Sequence, residues 1–401
     1  MAVETLTEPH GETIVLTLNS GSSSLKFDLY RAGALQTEML LEGEADSICE
    51  GAQNLHASDA KGNALTIDKT SMHGTRDAVI QIKQLLANST LPPPTVIGHR
   101  IVHGGPKLRR HCVITEDVLR LLEAAIPFAP LHLPPALAII RSAQEHFPGI
   151  PQTACFDTTF HADLPDVACV LPLPRELRAD GIQRYGFHGL SCESLLHQLG
   201  DDLPGRVVIA HLGNGASVTA VKDGKSIDTS MGLTPTGGVI MGTRSGDLDP
   251  GILIYLARER NLDAAKLEDL IDRRSGLLGI SGISSDMRQL HHSAPSKPDA
   301  QLAIAMFCYS VRKQIAAMIA VLEGVDLVVF TGGIGENDGH VRASICAGLR
   351  WTGIGLDEAR NQSATNPISD PSSPCKVLVL PSQEDEQIAR HSWTLFPQSD
   401  F

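Results

Sequence analysis

The sequence predicts an α/β protein of two domains built on one plan used twice. The length of 401 residues exceeds what one ordinary domain needs. Each half opens with strand, polar glycine-bearing turn, strand: Ile14 to Tyr30 around Asn19-Ser-Gly21-Ser-Ser-Ser24, and Val207 to Val221 around His211-Leu-Gly213-Asn214-Gly215-Ala-Ser217. After each hairpin, apolar runs of strand length alternate with segments of helical period, the pattern of βα crossovers.

Residues 1–12 read as a loose tail, and a polar β-like stretch follows the first hairpin to Asp68. Ala78, Ile82, Leu85 and Leu86 mark a helix over residues 75–87, stopped by Pro92-Pro-Pro94. Thr95 to His103 reads as a strand ending in Gly104-Gly105. Thr115 can cap a helix carrying Val118, Leu121 and Leu122. A proline-rich connection from Pro127 to Pro135 leads to a helix ending near His146, then a strand from Gln152 to Phe156. The second half has a long Gly/Ser/Thr loop from Asp228 to Gly251, helices near 252–260 and 263–273, and a second Gly/Ser-rich loop, 275–286. Ile304, Phe307, Cys308, Val311, Ile315, Met318, Ile319 and Leu322 mark a long amphipathic helix. Strands at 327–330 and 376–380 and a helix near 384–393 close the chain.

Hydrophobic residues make up 42% and charged residues 20%, so a normal core is available. A net charge of −13 and 4% aromatics argue against nucleic acid or an anionic membrane surface as partner. An anionic substrate would have to be captured locally, by a few arginines. The eight cysteines form no CxxC pair and sit mostly in apolar surroundings, as reduced core thiols do. The N-terminus lacks the basic and apolar regions of a signal peptide, and no run approaches a membrane span. A cytoplasmic protein is expected.

Two facing glycine/serine turns can hold a polyphosphate on backbone N–H groups, whereas either alone reads as an ordinary hairpin turn. Gly224-Lys225-Ser226 is not a P-loop, because Thr219 stands where the first glycine belongs. Gly333-Ile-Gly335 follows a strand, but Asp338 replaces the third glycine of a dinucleotide fingerprint; the turn suits a purine or its ribose, or nothing at all. His99 and His103 would lie ~13 Å apart along a strand, too far for one ion, and fit structural roles better. Arg100 and Val102 would share the other strand face, a guanidinium beside an apolar wall, as a small carboxylate with a short tail requires. A surface ion pair is the plain alternative for Arg100. Arg244 and His188 sit in glycine-bounded loops, and Asp157 just past a strand end, where α/β ligand sites lie. The run Glu384-Asp385-Glu386 suits a helix start and could also give Mg²⁺ one oxygen ligand.

Together these motifs resemble the acetokinase family, within the actin/hexokinase/Hsp70-like ATPase superfamily. The resemblance runs from Asn19 to Arg390. It rests on Asn19-Ser-Gly-Ser-Ser-Ser-Leu-Lys26, His99 to Gly105, Cys155 to His161, Arg184 to Gly189, His211 to Ser217, Asp228 to Gly232, Met241 to Asp247 and Gly333 to Asn337. It implies two duplicated actin-like (ribonuclease H-like) domains flanking a cleft: residues 1–158 joined by a C-terminal helix at 385–401, and 159–384, which binds the nucleotide. The implied reaction is reversible transfer of the ATP γ-phosphoryl group to acetate, with Mg²⁺ or Mn²⁺, in a homodimer. The catalytic group would be Asp157, His188 and Arg244. Acetate would meet Arg100, Val102, Leu131, Phe187 and Pro235. The nucleotide would meet Lys26, His211, Leu212, Gly213, Asn214, Gly215, Asp286, Met287, Arg288, Gly333, Ile334, Gly335, Glu336 and Asn337. Asn19 and Glu384 would hold the metal.

Three positions depart from the family's usual pattern: Leu133 where Asn is common, Thr236-Gly237 where a bulky residue and Glu are common, and Gln383 where Asn is common. The first two bear on the acyl pocket, so a propionate-preferring enzyme is the close alternative. A non-transferring ATPase of the actin or Hsp70 kind would not need the paired arginines. A sugar kinase would need an aspartate base and polar sugar ligands.

Overall fold

The computed structural model describes residues 12–20, 24–45, 55–65 and 74–396. The expected N-terminal tail, the Gly21-Ser22-Ser23 tip of the first turn and Cys49 lie outside them. The chain divides into two compact units, Met1–Thr159 with Gln383–Phe401, and Phe160–Ser382.

The first unit carries a seven-stranded sheet in the order β4-β3-β2-β1-β5-β7-β6. Its strands are β1 (Thr13–Ser20), β2 (Leu25–Ala32), β3 (Thr37–Ala45), β4 (Leu55–Asp59), β5 (Val96–Ile101), β6 (Cys112–Val113) and β7 (Gln152–Phe156). β1 and β2 are the antiparallel hairpin expected from the sequence, with Asn19 opposite Lys26 and Thr17 opposite Asp28. β1, β5 and β7 run parallel.

Strand alternation sorts the two faces of this sheet. Leu16, Leu18, Phe27, Leu29 and Leu41 pack with Ala78, Ile82 and Ile139 from the helices Thr75–Asn88 and Leu133–His146. Each such fully buried aliphatic side chain contributes about 1.5–3 kcal/mol. On the opposite face, Val15 and Tyr30 pack against Ala389 and Trp393 of the helix Glu384–Leu395. That helix sits directly on Gly98, where a methyl group would stand 2.5 Å from Ser392 Oγ and 2.6 Å from Ile388 Cγ2. Only glycine leaves room for the helix there.

The second unit repeats the scheme. Its five strands are β8 (Arg206–Leu212), β9 (Ala216–Lys222), β10 (Lys225–Thr229), β11 (Leu327–Thr331) and β12 (Lys376–Val379), in the order β10-β9-β8-β11-β12. Two antiparallel pairings are followed by two parallel ones. This is the order and polarity of β3-β2-β1-β5-β7. Gly224 lies in the turn joining β9 to β10, as expected.

Several local expectations hold. Thr115 Oγ1 accepts from Val118 N at 3.3 Å and caps the helix Glu116–Ala124. The described cysteines are free thiols, five of them buried. Others need correction. β5 ends at Ile101, whose carbonyl takes the last ladder bond, from Asp157 N, and the chain bends at Val102. Val102 therefore lies beyond the strand and does not share a strand face with Arg100. The proline-rich connection ends earlier than expected, since Pro134 and Pro135 occupy the first turn of the helix Leu133–His146, where their missing N–H groups cost nothing. The Gly/Ser-rich stretch 275–286 contains the helix Gly276–Ser281, and Met287–Ser293 forms another.

The helix Pro298–Val321 is, by length and composition, long and apolar enough to cross a membrane, contrary to expectation. Ala300, Ala303, Phe307, Cys308, Val311, Ile315 and Met318 on one of its sides are buried within the unit, as in a core helix.

Candidate functional site

In the first unit, the carboxyl ends of the three parallel strands meet the N-terminus of the helix Glu384–Leu395. Such strand ends are where open α/β sheets bind ligands. Asn19 comes from the end of β1, Arg100 from β5 and Asp157 from just past β7. Arg100 Nη2 donates to Asp157 Oδ2 at 2.8 Å, and Nε lies 3.1 Å from both carboxylate oxygens. Nη1 donates to Asn19 Oδ1 at 3.2 Å and pairs with Glu384 Oε2 at 3.3 Å. Burial opposes the guanidinium charge, but Asp157 and Glu384 more than offset it and hold Arg100 firmly protonated. The bidentate edge expected for a substrate carboxylate thus rests on Asp157, which is itself buried.

Asp385 was not singled out from the sequence. It accepts from Asn19 Nδ2 at 3.3 Å. Burial and the neighbouring Glu384 raise its pKa to about 6. Asp28, on the same sheet face, is pushed up to about 8 by burial and by Asp385. Four carboxyl groups, Asp28, Asp157, Glu384 and Asp385, lie here with Arg100 and Lys26 as neighbouring cations. An oxygen donor set with excess negative charge fits a hard divalent ion such as Mg²⁺. Lys26 is exposed on β2 beside Asn19. Leu131 and Val102 are both half-buried. Leu133 is buried with Ile101 and Phe156, so that departure from the family pattern falls in core packing.

In the second unit, three of the expected nucleotide segments come together. A methyl group at Gly213 would stand 3.9 Å from Gly333 N. Gly242 lies between Asn214 and Ser285, next to Asp286. His291, on the helix after Asp286, reaches Asp338 Oδ2 at 2.8 Å, one residue past Asn337. Asp286 Oδ1 accepts from Arg288 N and so caps that helix; its side chain also pairs with the Arg288 guanidinium, which lowers its pKa. Met287 is buried. Gly332–Asn337 is a helical turn rather than a loop, and Asn337 Nδ2 donates to Gly333 O at 2.9 Å. Glu336 turns inward: Oε1 accepts from Gly332 N at 2.9 Å and Ser382 N at 3.0 Å.

His188 has φ of 57°, a left-handed conformation costly for histidine. Its ring stacks on His211 at 4.2 Å, and Nδ1 lies 3.0 Å from Ser217 Oγ. A methyl group at Gly215 would stand 3.2 Å from His188 Nε2 and 3.4 Å from Arg244 Nη1. The imidazole and the guanidinium therefore converge on one point beside the glycine turn. Arg244 Nη1 also donates to Pro235 O at 3.0 Å, which fixes the arginine to the buried Pro235. Leu212 is buried behind the turn, and Ile334 is half-buried within the helical one.

His161 was quoted in a motif but given no role. Its Nε2 donates to Phe187 O at 3.0 Å, and its Nδ1 accepts from Ser226 Oγ at 2.8 Å. It buttresses the segment carrying the buried Phe187 and His188. Burial depresses its pKa to about 4, so it stays neutral.

With this geometry in place, the model of the acetokinase family matches residues 14–390. The chain belongs to the acetokinase family. The acetate kinase of Methylocella silvestris is 42% identical over 398 residues, spanning 96% of this chain and 98% of the relative. Among solved structures, the acetate kinase of Porphyromonas gingivalis is 36% identical with a TM-score of 0.84, covering 96% of this chain and 99% of that one. A propionate kinase from Francisella tularensis is 35% identical with a TM-score of 0.87, covering 96% and 100%. The two mixed sheets of this acetokinase are those of the actin-like ATPase fold.

Proposed function

We propose that this acetokinase transfers the γ-phosphoryl group of ATP to acetate, reversibly and with Mg²⁺ or Mn²⁺, giving acetyl phosphate and ADP. The observation that carries the reading is the convergence of His188 Nε2 and Arg244 Nη1 beside Gly215. Two fixed donors at one point are suited to the equatorial oxygens of a transferring phosphoryl group. His211 to Gly215, Asp286 to Arg288 and Gly333 to Asn337, with Lys26, would bind the nucleotide. Arg100, Val102, Leu131, Phe187 and Pro235 would receive acetate.

Acetate attacks as an anion, so no base is required. A carboxylate oxygen forms the bond to phosphorus, the bond to the bridging oxygen breaks, and ADP carries away the electron pair. The obstacle is repulsion between acetate and the γ-phosphate. Arg100, Arg244 and His188 offset it, and Asp157 holds Arg100 in place rather than removing a proton. Asn19 and Glu384 would hold the metal, which supplies further positive charge to the phosphate oxygens when bound.

Trapping acyl phosphate as the hydroxamate tests the assignment directly: acetate and ATP should yield acetohydroxamate. A protein that hydrolyses ATP without forming it would refute the reading. The likeness to a propionate kinase makes propionate the second substrate to compare by kcat/KM, since one methylene is worth only ~1–3 kcal/mol in an apolar pocket. We also propose a cytoplasmic homodimer. Leu302, Met306 and Tyr309, at helical spacing on Pro298–Val321, present an exposed apolar stripe that suits a second copy.

A further inference from the structure

Asn19 is held by two hydrogen bonds of opposite polarity. Its Oδ1 accepts from Arg100 Nη1 at 3.2 Å, and its Nδ2 donates to Asp385 Oδ2 at 3.3 Å. A carboxamide can satisfy this pair in one orientation only. Flipped, it would turn N–H groups toward the guanidinium and its oxygen toward a carboxylate, two repulsions in place of two bonds. Asp385 and Arg100 together therefore fix the Asn19 carboxamide with Oδ1 on the side of Arg100 Nη1, the same nitrogen that pairs with Glu384 Oε2 at 3.3 Å.

Asp385 has a second property that packing does not explain. Its Oδ1 is buried and has no hydrogen-bond partner among the described residues. An orphaned carboxylate oxygen in such a place costs stability unless something absent from the free protein meets it. Asp385 stands next to Glu384 in the first turn of the helix Glu384–Leu395, and it faces the end of β1 through Asn19. Magnesium keeps most of its waters, and those waters need acceptors. Carboxylates behind a metal's direct ligands commonly orient them, and their loss costs 10–100-fold in affinity.

We propose that Asp385 is a positioning residue of the metal site: it locks the Asn19 carboxamide with its oxygen toward the cation and accepts, through Oδ1, a hydrogen bond from a water of the cation's hydration shell. The inference rests on the reading of Asn19 and Glu384 as metal ligands. A neutral side chain of the same shape would leave the amide free to flip and remove the strong water acceptor.

The test is Mn²⁺ binding, read by electron paramagnetic resonance in the presence of ADP, with ADP affinity in EDTA measured alongside by calorimetry. Asp385→Asn should weaken Mn²⁺ binding ~10–100-fold while metal-free ADP affinity stays within about twofold. Thermal stability without metal should not fall, since a crowded buried charge has been removed. Unchanged Mn²⁺ affinity in Asp385→Asn would overturn the inference. Should that variant fail to fold, Asp385→Glu keeps the charge but displaces it by one methylene; it should also lose Mn²⁺ affinity, and wild-type affinity there would overturn the inference equally. Asn19→Ala separates the two levels. If it too binds Mn²⁺ normally, the metal-ligand reading itself fails; if it is impaired while Asp385→Asn is not, only the positioning role fails.

Discussion

Arg100 Nη2 lies 2.8 Å from Asp157 Oδ2, so the end of β5 and the residue just past β7 are joined by an ion pair with little access to water. Breaking a buried pair by removing one partner leaves an uncompensated charge and costs about 3–5 kcal/mol. Arg100→Ala should lose stability on that scale in urea unfolding, in addition to losing turnover. Asp157→Asn keeps the shape but loosens the guanidinium, and kcat should fall. Near-normal turnover in Asp157→Asn would remove that carboxylate from the mechanism.

His188 and Arg244 should behave as transition-state groups. Arg244→Ala is expected to lower kcat about 10²–10³-fold with little change in the KM for ATP, and His188→Ala similarly. Steady-state kinetics in both directions checks this. A rise in KM with kcat intact would make them binding residues only.

Acid sensitivity should come from buried histidines. His99 donates to Gln152 Oε1 at 2.8 Å, and burial depresses its pKa to about 4, as burial does for His161. In the unfolded chain both titrate near 6.5. Between those values the unfolded state binds more protons, so stability is full above pH ~6.5 and falls as pH drops toward ~4. Urea midpoints measured over pH 4–7 should show this slope, and His161→Gln should reduce it. An unchanged slope in His161→Gln would show that His161 does not titrate on unfolding.

Gly98 sets the distance between the first sheet and the C-terminal helix. Gly98→Ala should cost about 1–3 kcal/mol through overpacking against Ile388 and Ser392. It should also raise the metal concentration needed for half-maximal activity, because Glu384 rides on the displaced helix. A calorimetric scan together with a Mg²⁺ titration measures both.

The dimer reading turns on the stripe Leu302-Met306-Tyr309. Met306→Glu should give a monomer in sedimentation velocity, leaving the buried side of the helix untouched. A wild-type monomer would refute the dimer.

Much of the frame was legible from residues alone, because local pattern and tertiary packing agree there. Both hairpins, the strand Gln152–Phe156 and the Thr115 cap follow from alternation, turn residues and capping chemistry. What escaped was decided by distant partners. The helix Gly276–Ser281 looks like a loop by composition, but Leu277 N donates to Met241 O and Leu278 N to Gly242 O, which ties it to the Arg244 loop. The strand β5 ends where its pairing with β7 ends, at the bond from Asp157 N to Ile101 O, some fifty residues on. The candidate site divides the same way. Arg100, Asp157, His188 and Arg244 stood out as polar residues at strand ends or among glycines. Asp385 read as one more helix-start acid, and its bond to Asn19 joins positions 366 residues apart. His161 read as part of a motif, and its bonds to Ser226 and Phe187 are equally invisible to any local window.

The helix Glu384–Leu395 closes over strands made more than two hundred residues earlier, with Thr153 Oγ1 and Ser392 Oγ 2.7 Å apart beneath it. A nascent polypeptide emerging from the ribosome has Asn19, Arg100 and Asp157 long before it has Glu384. Until those final turns dock, the first unit leaves Val15, Tyr30 and Ala32 uncovered and lacks half of its acids. On the proposed reading of Glu384 as a metal ligand, the cation site would be complete only once the last turns of the chain are made.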